Sequence, residues 1–123
     1  MKIIINNSSE QPIYEQITMQ IKSQIVSGSL KEHDILPSVR GLAKDLKISA
    51  LTVKKAYDNL EQQGFILTVH GKGSFVASTN QELLGEEQRK EVEADLEMAI
   101  RKGRSCGMSE MELKELFRLI LEE

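Results

Sequence analysis

The stretch ISALTVKKAYDNL, residues 48–60, decides the fold. Val53, Ala56, Tyr57 and Leu60 recur at the i, i+3, i+4, i+7 spacing of a helix with one apolar face. Ser49 stands where an N-cap belongs, because its hydroxyl can accept from an otherwise unpaired amide of the first turn. Lys54 and Lys55 fall outside the apolar stripe, and Leu51 lies three positions before Lys54. A large apolar residue on a face expected to be solvated asks what that face meets.

The neighbouring segments answer in part. Upstream, SVRGLAKDL (38–46) places Val39, Leu42, Ala43 and Leu46 at helical spacing, with Ser38 as cap and Pro37 holding Leu36 extended. Gly41 inside this helix costs about 1 kcal/mol of propensity relative to alanine. The residues KIS (47–49) make a tight connection, and Gly64 stops the following helix after about Gln63. Two short helices so joined, the second amphipathic with basic outer residues, form a helix-turn-helix. Downstream, FILTVHGKGSFV (65–76) switches to strand composition. Phe65–Val69 and Ser74–Val76 flank HGKG, whose glycines suit a hairpin turn. A hairpin behind a helix-turn-helix is a wing.

Further out, Pro12 opens a helix striped by Ile13, Ile17, Ile21 and Ile25 and closed by Gly28. The start, MKIIINNSSEQ, leaves two readings open: KIII forms a short edge strand or packs on the body. It is too short for the apolar core of a signal peptide, and no apolar run approaches the roughly 18 residues that span a bilayer. The expected location is the cytoplasm. Beyond ASTNQ (77–81), Val92, Leu96, Ala99 and Ile100 mark a helix over 81–105, ended by Gly107. Ser109 and Glu112 fit a capping box, and Leu113, Leu116, Phe117 and Ile120 stripe a final helix. Two such helices leave apolar surface exposed, and a second copy of the chain is the economical cover. These eight residues are the expected dimerisation set. The expected organisation is a mainly α chain with a small β-hairpin: a winged helix-turn-helix domain over 1–79 and a two-helix dimerisation tail over 80–123.

The charge pattern fits that division. The whole chain carries −3, but residues 1–79 carry +2, residues 80–123 carry −5, and residues 38–76 carry +3. Such asymmetry between halves is a hint of nucleic-acid contact. The single cysteine, Cys106, excludes an intrachain disulfide, and with only His33 and His70 it makes no zinc site; it reads as a small half-buried residue near a turn, with a redox-sensing thiol as the alternative. HGKGS is not a phosphate loop, because Gly64 and Gly71 are seven apart and Lys72 is followed by Gly73. No acid–base pair or nucleophile constellation is visible, so neither an enzyme nor a cofactor is expected.

Four segments in order, PIYEQI (12–17), LPSVRGLAKDLKIS (36–49), TVKKAYDNLEQQGFI (52–66) and HGKGSFV (70–76), make the chain resemble a GntR-family bacterial transcription regulator. The short tail resembles the YtrA-like subfamily, whose members carry two dimerising helices in place of a large effector domain. The resemblance implies a winged-helix homodimer that binds a palindromic double-stranded operator, usually as a repressor and often over transporter genes. It implies DNA contacts by Arg40, by Ser49, Ala50, Leu51, Thr52, Lys54 and Lys55 of the recognition helix, and by His70, Gly71 and Lys72 of the wing tip. A protein-interaction module without DNA readout is the alternative. A small effector is left open, at the dimer interface or between tail and head.

Three departures from the family pattern involve four positions. Ala50 and Leu51 stand where a polar residue or arginine is usual, and contact with thymine methyls is the expectation drawn from them. His33 replaces a glycine, and histidine is among the side chains that tolerate positive φ. Gly41 replaces a glutamate, and close approach of another backbone is one reading of it.

Overall fold

The computed structural model describes residues 1–78 and 81–123. Among them are five helices and one hairpin: α1 (Ile13–Val26), α2 (Val39–Leu46), α3 (Ala50–Gln62), β1 (Ile66–Val69), β2 (Gly73–Val76), α4 (Gln81–Ser105) and α5 (Glu110–Leu121). They form two compact units, Met1–Leu84 and Gly85–Glu123. The domain boundary expected between residues 79 and 80 lies outside the described residues.

In the first unit α3 packs against α1, α2 and β1. Ile17, Ile21 and Ile25 of α1, Leu42 and Ala43 of α2 and Val53, Ala56, Tyr57 and Leu60 of α3 share one core with Phe65, Ile66 and Val76. The caps are those the residue types dictate. Ser38 Oγ accepts from the Gly41 amide at 3.0 Å, and Ser49 Oγ from the Thr52 amide at 3.1 Å. Lys47 ends α2 in the left-handed region at φ 57°. His33 holds φ 71°, so the turn survives without glycine there. A Cβ on Gly41 would lie 2.9 Å from Ser38 Oγ, so the close neighbour there is the cap's own hydroxyl and not another backbone.

The hairpin pairs Ile66 with Val76 and Val69 with Gly73, antiparallel. The segment before Leu36 adds a third rung. His33 N–H donates to Val76 C=O (3.0 Å), Val76 N–H to Asp34 C=O (2.9 Å) and Leu36 N–H to Ser74 C=O (2.8 Å). The wing is thereby tied to the chain that leads into α2.

The first six residues take the second of the two readings left open for them. Ile3 and Ile5 pack on the core. Their backbone is held by three glutamines spaced four apart on α1. Gln20 accepts from Ile4 N–H (2.8 Å) and donates to Ile4 C=O (2.6 Å). Gln16 does the same for Asn6 (2.9 and 3.1 Å), and Gln24 donates to Lys2 C=O (2.8 Å). Side-chain amides here supply the ladder that a neighbouring strand would otherwise provide.

In the second unit Ser109 and Glu112 complete the capping box of α5. Gly103 is buried where α4 meets α5; a Cβ there would overlap Leu113 Cδ2 and lie 3.5 Å from Met108 Sδ. Glycine lets the two helices approach at that point. No described helix is long and apolar enough to cross a membrane.

Candidate nucleic-acid interface

The helix-turn-helix is built from α2 and α3, and Tyr57 fixes how they meet. Its ring is only 4% exposed, and its hydroxyl donates to Pro37 C=O at 2.7 Å. Burial pushes the phenol up to about 12. That bond ties the middle of α3 to the residue preceding the Ser38 cap, and so to the first turn of α2, which carries Arg40. Arg40 is exposed, and its side chain has no ion pair among the described residues.

The first turn of α3 is not evenly polar. Ser49 and Thr52 bond each other, Oγ to Oγ1 at 2.7 Å. Ala50 is exposed, and Leu51 is 78% exposed. The two lysines differ. Lys54 Nζ pairs with Asp58 Oδ2 at 2.8 Å, and that carboxylate, as hydrogen-bond partner first and as charge second, raises the ammonium's pKa. Lys55 Nζ sits 4.0 Å above the centre of the Tyr14 ring on α1. Tyr14 in turn donates to Glu15 Oε1 at 3.2 Å, and that bond to a carboxylate, followed by partial burial, raises its own pKa.

The wing tip is a tight turn. Lys72 N–H donates to Val69 C=O at 2.9 Å, with Gly71 at φ 80°. His70, Gly71 and Lys72 are all exposed. Asp58 and Tyr14 are the partners that sequence reasoning missed. The i, i+4 spacing of Lys54 and Asp58 carries a signal for the first. Nothing local carries one for the second, which depends on α1 packing against α3.

In the second unit, Leu96, Ala99, Ile100, Leu113, Leu116, Phe117 and Ile120 line one groove of about 690 Å³, joined by Gly103, Cys106 and Met108. Val92 stands outside it, more than half exposed. Among the described residues, none of α5 is buried. Cys106 is exposed rather than half-buried, because the chain turns at Gly107 and leaves its thiol on the rim, where Sγ donates to Gly103 C=O at 3.2 Å.

Residues 13–76 match the model of "Bacterial regulatory proteins, gntR family". The chain belongs to the GntR family. It is 36% identical to the HTH-type transcriptional repressor YtrA of Bacillus subtilis (strain 168) over 120 residues, covering 98% of this chain and 90% of that one. The crystal structure of a transcriptional antiterminator from Listeria monocytogenes EGD-e superposes with a TM-score of 0.74 at 35% identity, covering 98% of this chain and 90% of that one. The chain also matches the crystal structure of AraR(DBD) in complex with operator ORX1, with a TM-score of 0.55 at 28% identity, covering 63% of this chain and 96% of that one. The likeness to YtrA runs through the tail as well as the winged helix, which places the chain among the YtrA-like members. Its family is one of DNA-binding transcriptional regulators, not of enzymes.

Proposed function

We propose that the chain is a cytoplasmic, homodimeric repressor that reads a palindromic operator. The division of labour is the one expected from the sequence: residues 1–79 bind DNA and residues 80–123 dimerise. The observation that carries the reading is the outer face of α2 and α3. A helix seated in the core by Val53, Ala56, Tyr57 and Leu60 exposes Leu51 and Lys54 at its N-terminal end, while α2 exposes Arg40, which has no ion pair among the described residues. That is the end of a recognition helix that meets base edges in the major groove.

In this reading Arg40 presents its fork to a guanine edge or a phosphate. Ser49 and Thr52 keep one hydroxyl proton between them for a phosphate or base edge. Lys54 exchanges Asp58 for phosphate, and Lys55 adds charge from over Tyr14. His70, Gly71 and Lys72 bring the wing tip to the flanking backbone. The tail takes a second copy, because its apolar groove and the residues of α5 are left unburied within the second unit as described. Half-sites then lie about one helical turn apart, roughly 10 base pairs. The groove volume of about 690 Å³ also lies within the range of small-ligand sites, so a small effector bound there would share the dimer interface with the second copy. A transporter operon as target rests on the YtrA resemblance alone.

The test is binding of the purified chain to its own upstream promoter region at several salt concentrations, beside an Arg40→Ala, Lys54→Ala double variant. Three phosphate-range cations per subunit (Arg40, Lys54 and Lys72) predict a log–log salt slope of about −5 for a dimer. The double variant should lose sequence-preferring binding. A folded dimer with no sequence preference and no salt dependence would turn the reading toward a protein partner.

A further inference from the structure

We propose that Leu51 is a specificity-determining residue that reads the 5-methyl group of thymine. This rests on the DNA-binding reading above and deepens it. The first turn of α3 has few hydrogen-bonding groups to offer a base edge. Ser49 Oγ already accepts from the Thr52 amide at 3.1 Å and shares a proton with Thr52 Oγ1 at 2.7 Å. A hydroxyl supplies one donor, so the pair retains a single proton for any outside acceptor. Lys54 is held by Asp58 at 2.8 Å. What projects instead is Leu51, 78% exposed, with Ala50 exposed beside it.

Leu51 has no structural reason to be apolar. It is the second residue of α3, and the buried residues of that helix are Val53, Ala56, Tyr57 and Leu60. On a helix that enters the major groove, an apolar side chain at this position has one apolar feature to meet. Thymine alone among the bases carries a methyl group there. A guanine or cytosine edge opposite Leu51 would instead lose water from its polar atoms without a partner. The half-site should therefore hold thymine at the step facing the start of α3, and the discrimination should come from a methyl contact rather than a hydrogen bond.

Replacing thymine by deoxyuridine removes that methyl and nothing else. The purified full-length chain is used to select a duplex from a randomised pool, and that duplex is then made with each thymine changed singly to deoxyuridine. We expect one or two positions per half-site where the change weakens binding about three- to five-fold, the loss of one buried methyl. At those positions Leu51→Ala, weaker on the parent duplex, should show no further loss. Leu51→Gln should move the preference there toward adenine, whose N6 and N7 an amide can bind together. Both variants sit on an exposed site, so folding is not at stake. A duplex selected and bound tightly, but insensitive to every deoxyuridine, would overturn the assignment to Leu51 and leave the DNA-reading proposal standing. So would equal sensitivity in wild type and Leu51→Ala. Failure to enrich any duplex would overturn both.

Discussion

Replacing Tyr57 with phenylalanine removes one oxygen atom and should cost more than an ordinary surface hydrogen bond. The Tyr57 ring is buried, and its hydroxyl donates to Pro37 C=O at 2.7 Å in a partly buried bond. Without it the partly buried carbonyl is left without that donor. Such a deletion costs about 1–3 kcal/mol, against about 1 kcal/mol for the net value of a typical bond. In a winged-helix unit of this size, each 1 kcal/mol lowers the melting temperature by about 4–8 °C, so the loss should be readily measured by calorimetry or circular dichroism. The high-pH limb supplies an independent readout. Burial raises the phenol from 10.0 to about 12, so the folded state holds its proton more tightly than the unfolded chain. The stabilisation is complete below pH 10 and is lost as pH rises from about 10 to about 12. Wild type should lose stability over that window, and Tyr57→Phe should lack this component. Every other ionisable group is common to both proteins, so the difference between the two curves isolates Tyr57. The variant should also bind DNA more weakly than its stability alone explains, because Pro37 leads directly into the Ser38 cap and the turn that carries Arg40. An unchanged melting temperature, with superimposable alkaline curves, would refute the argument that this bond fixes α3 to the start of α2.

Two further outcomes follow from close packing elsewhere. Gly103→Val should weaken the tail, because its side chain must displace Leu113; overpacking costs about 1–3 kcal/mol and exceeds the small gain in helix propensity. Sedimentation should show dimer dissociation rising by about 5- to 150-fold on the dimer proposal, and an unchanged dissociation constant would show that α4 and α5 tolerate wider spacing. Gln20→Ala should release the first residues from α1. Loss of the paired bonds to Ile4 should speed exchange of the Ile4 amide by about five-fold or more, as read by hydrogen-exchange NMR, whereas unaltered protection would mean that Ile3 and Ile5 alone hold the segment.

What the sequence reveals here is what local rules govern. The helix expected over 81–105 is α4, Ser109 and Glu112 form their box, and Ser38 and Ser49 cap the helices they precede. Each depends on residues within four positions of one another. What it conceals depends on segments brought together by packing. The glutamines of α1 reach residues 10 to 22 positions away, and Lys55 finds Tyr14 across the α1–α3 contact. Asp34 joins the wing through Val76. None of these has a local period. Gly41 lies between the two cases: its position three after the Ser38 cap is a local signal, but only the distance of 2.9 Å to Ser38 Oγ shows what a side chain there would displace. The residues proposed to face DNA come from family order, whereas nothing in that order signals the engagement of Lys54 by Asp58 and of Lys55 by Tyr14.

That engagement bears on how such a weakly charged chain holds DNA. At −3 overall, the molecule has no net attraction for phosphate at long range, and beyond a Debye length of about 8 Å the fields of its parts are largely screened. The winged-helix portion carries only +2 over residues 1–79, with Lys54 already paired. Binding must then come from short-range contacts made when the helix is seated in the groove. On the proposed reading, one head alone makes too few. Two heads joined through their tails convert the second contact into an intramolecular event, whose effective concentration reaches the millimolar range for short connections. Dimerisation is then the main determinant of occupancy rather than an accessory to it. Weakening the tail, as with Gly103→Val, should therefore reduce operator affinity even though no DNA contact is touched. The loss should be steepest at protein concentrations near the dimer dissociation constant and should fade as concentration rises. A fixed loss at all concentrations would mean instead that the tail variant misplaces the heads.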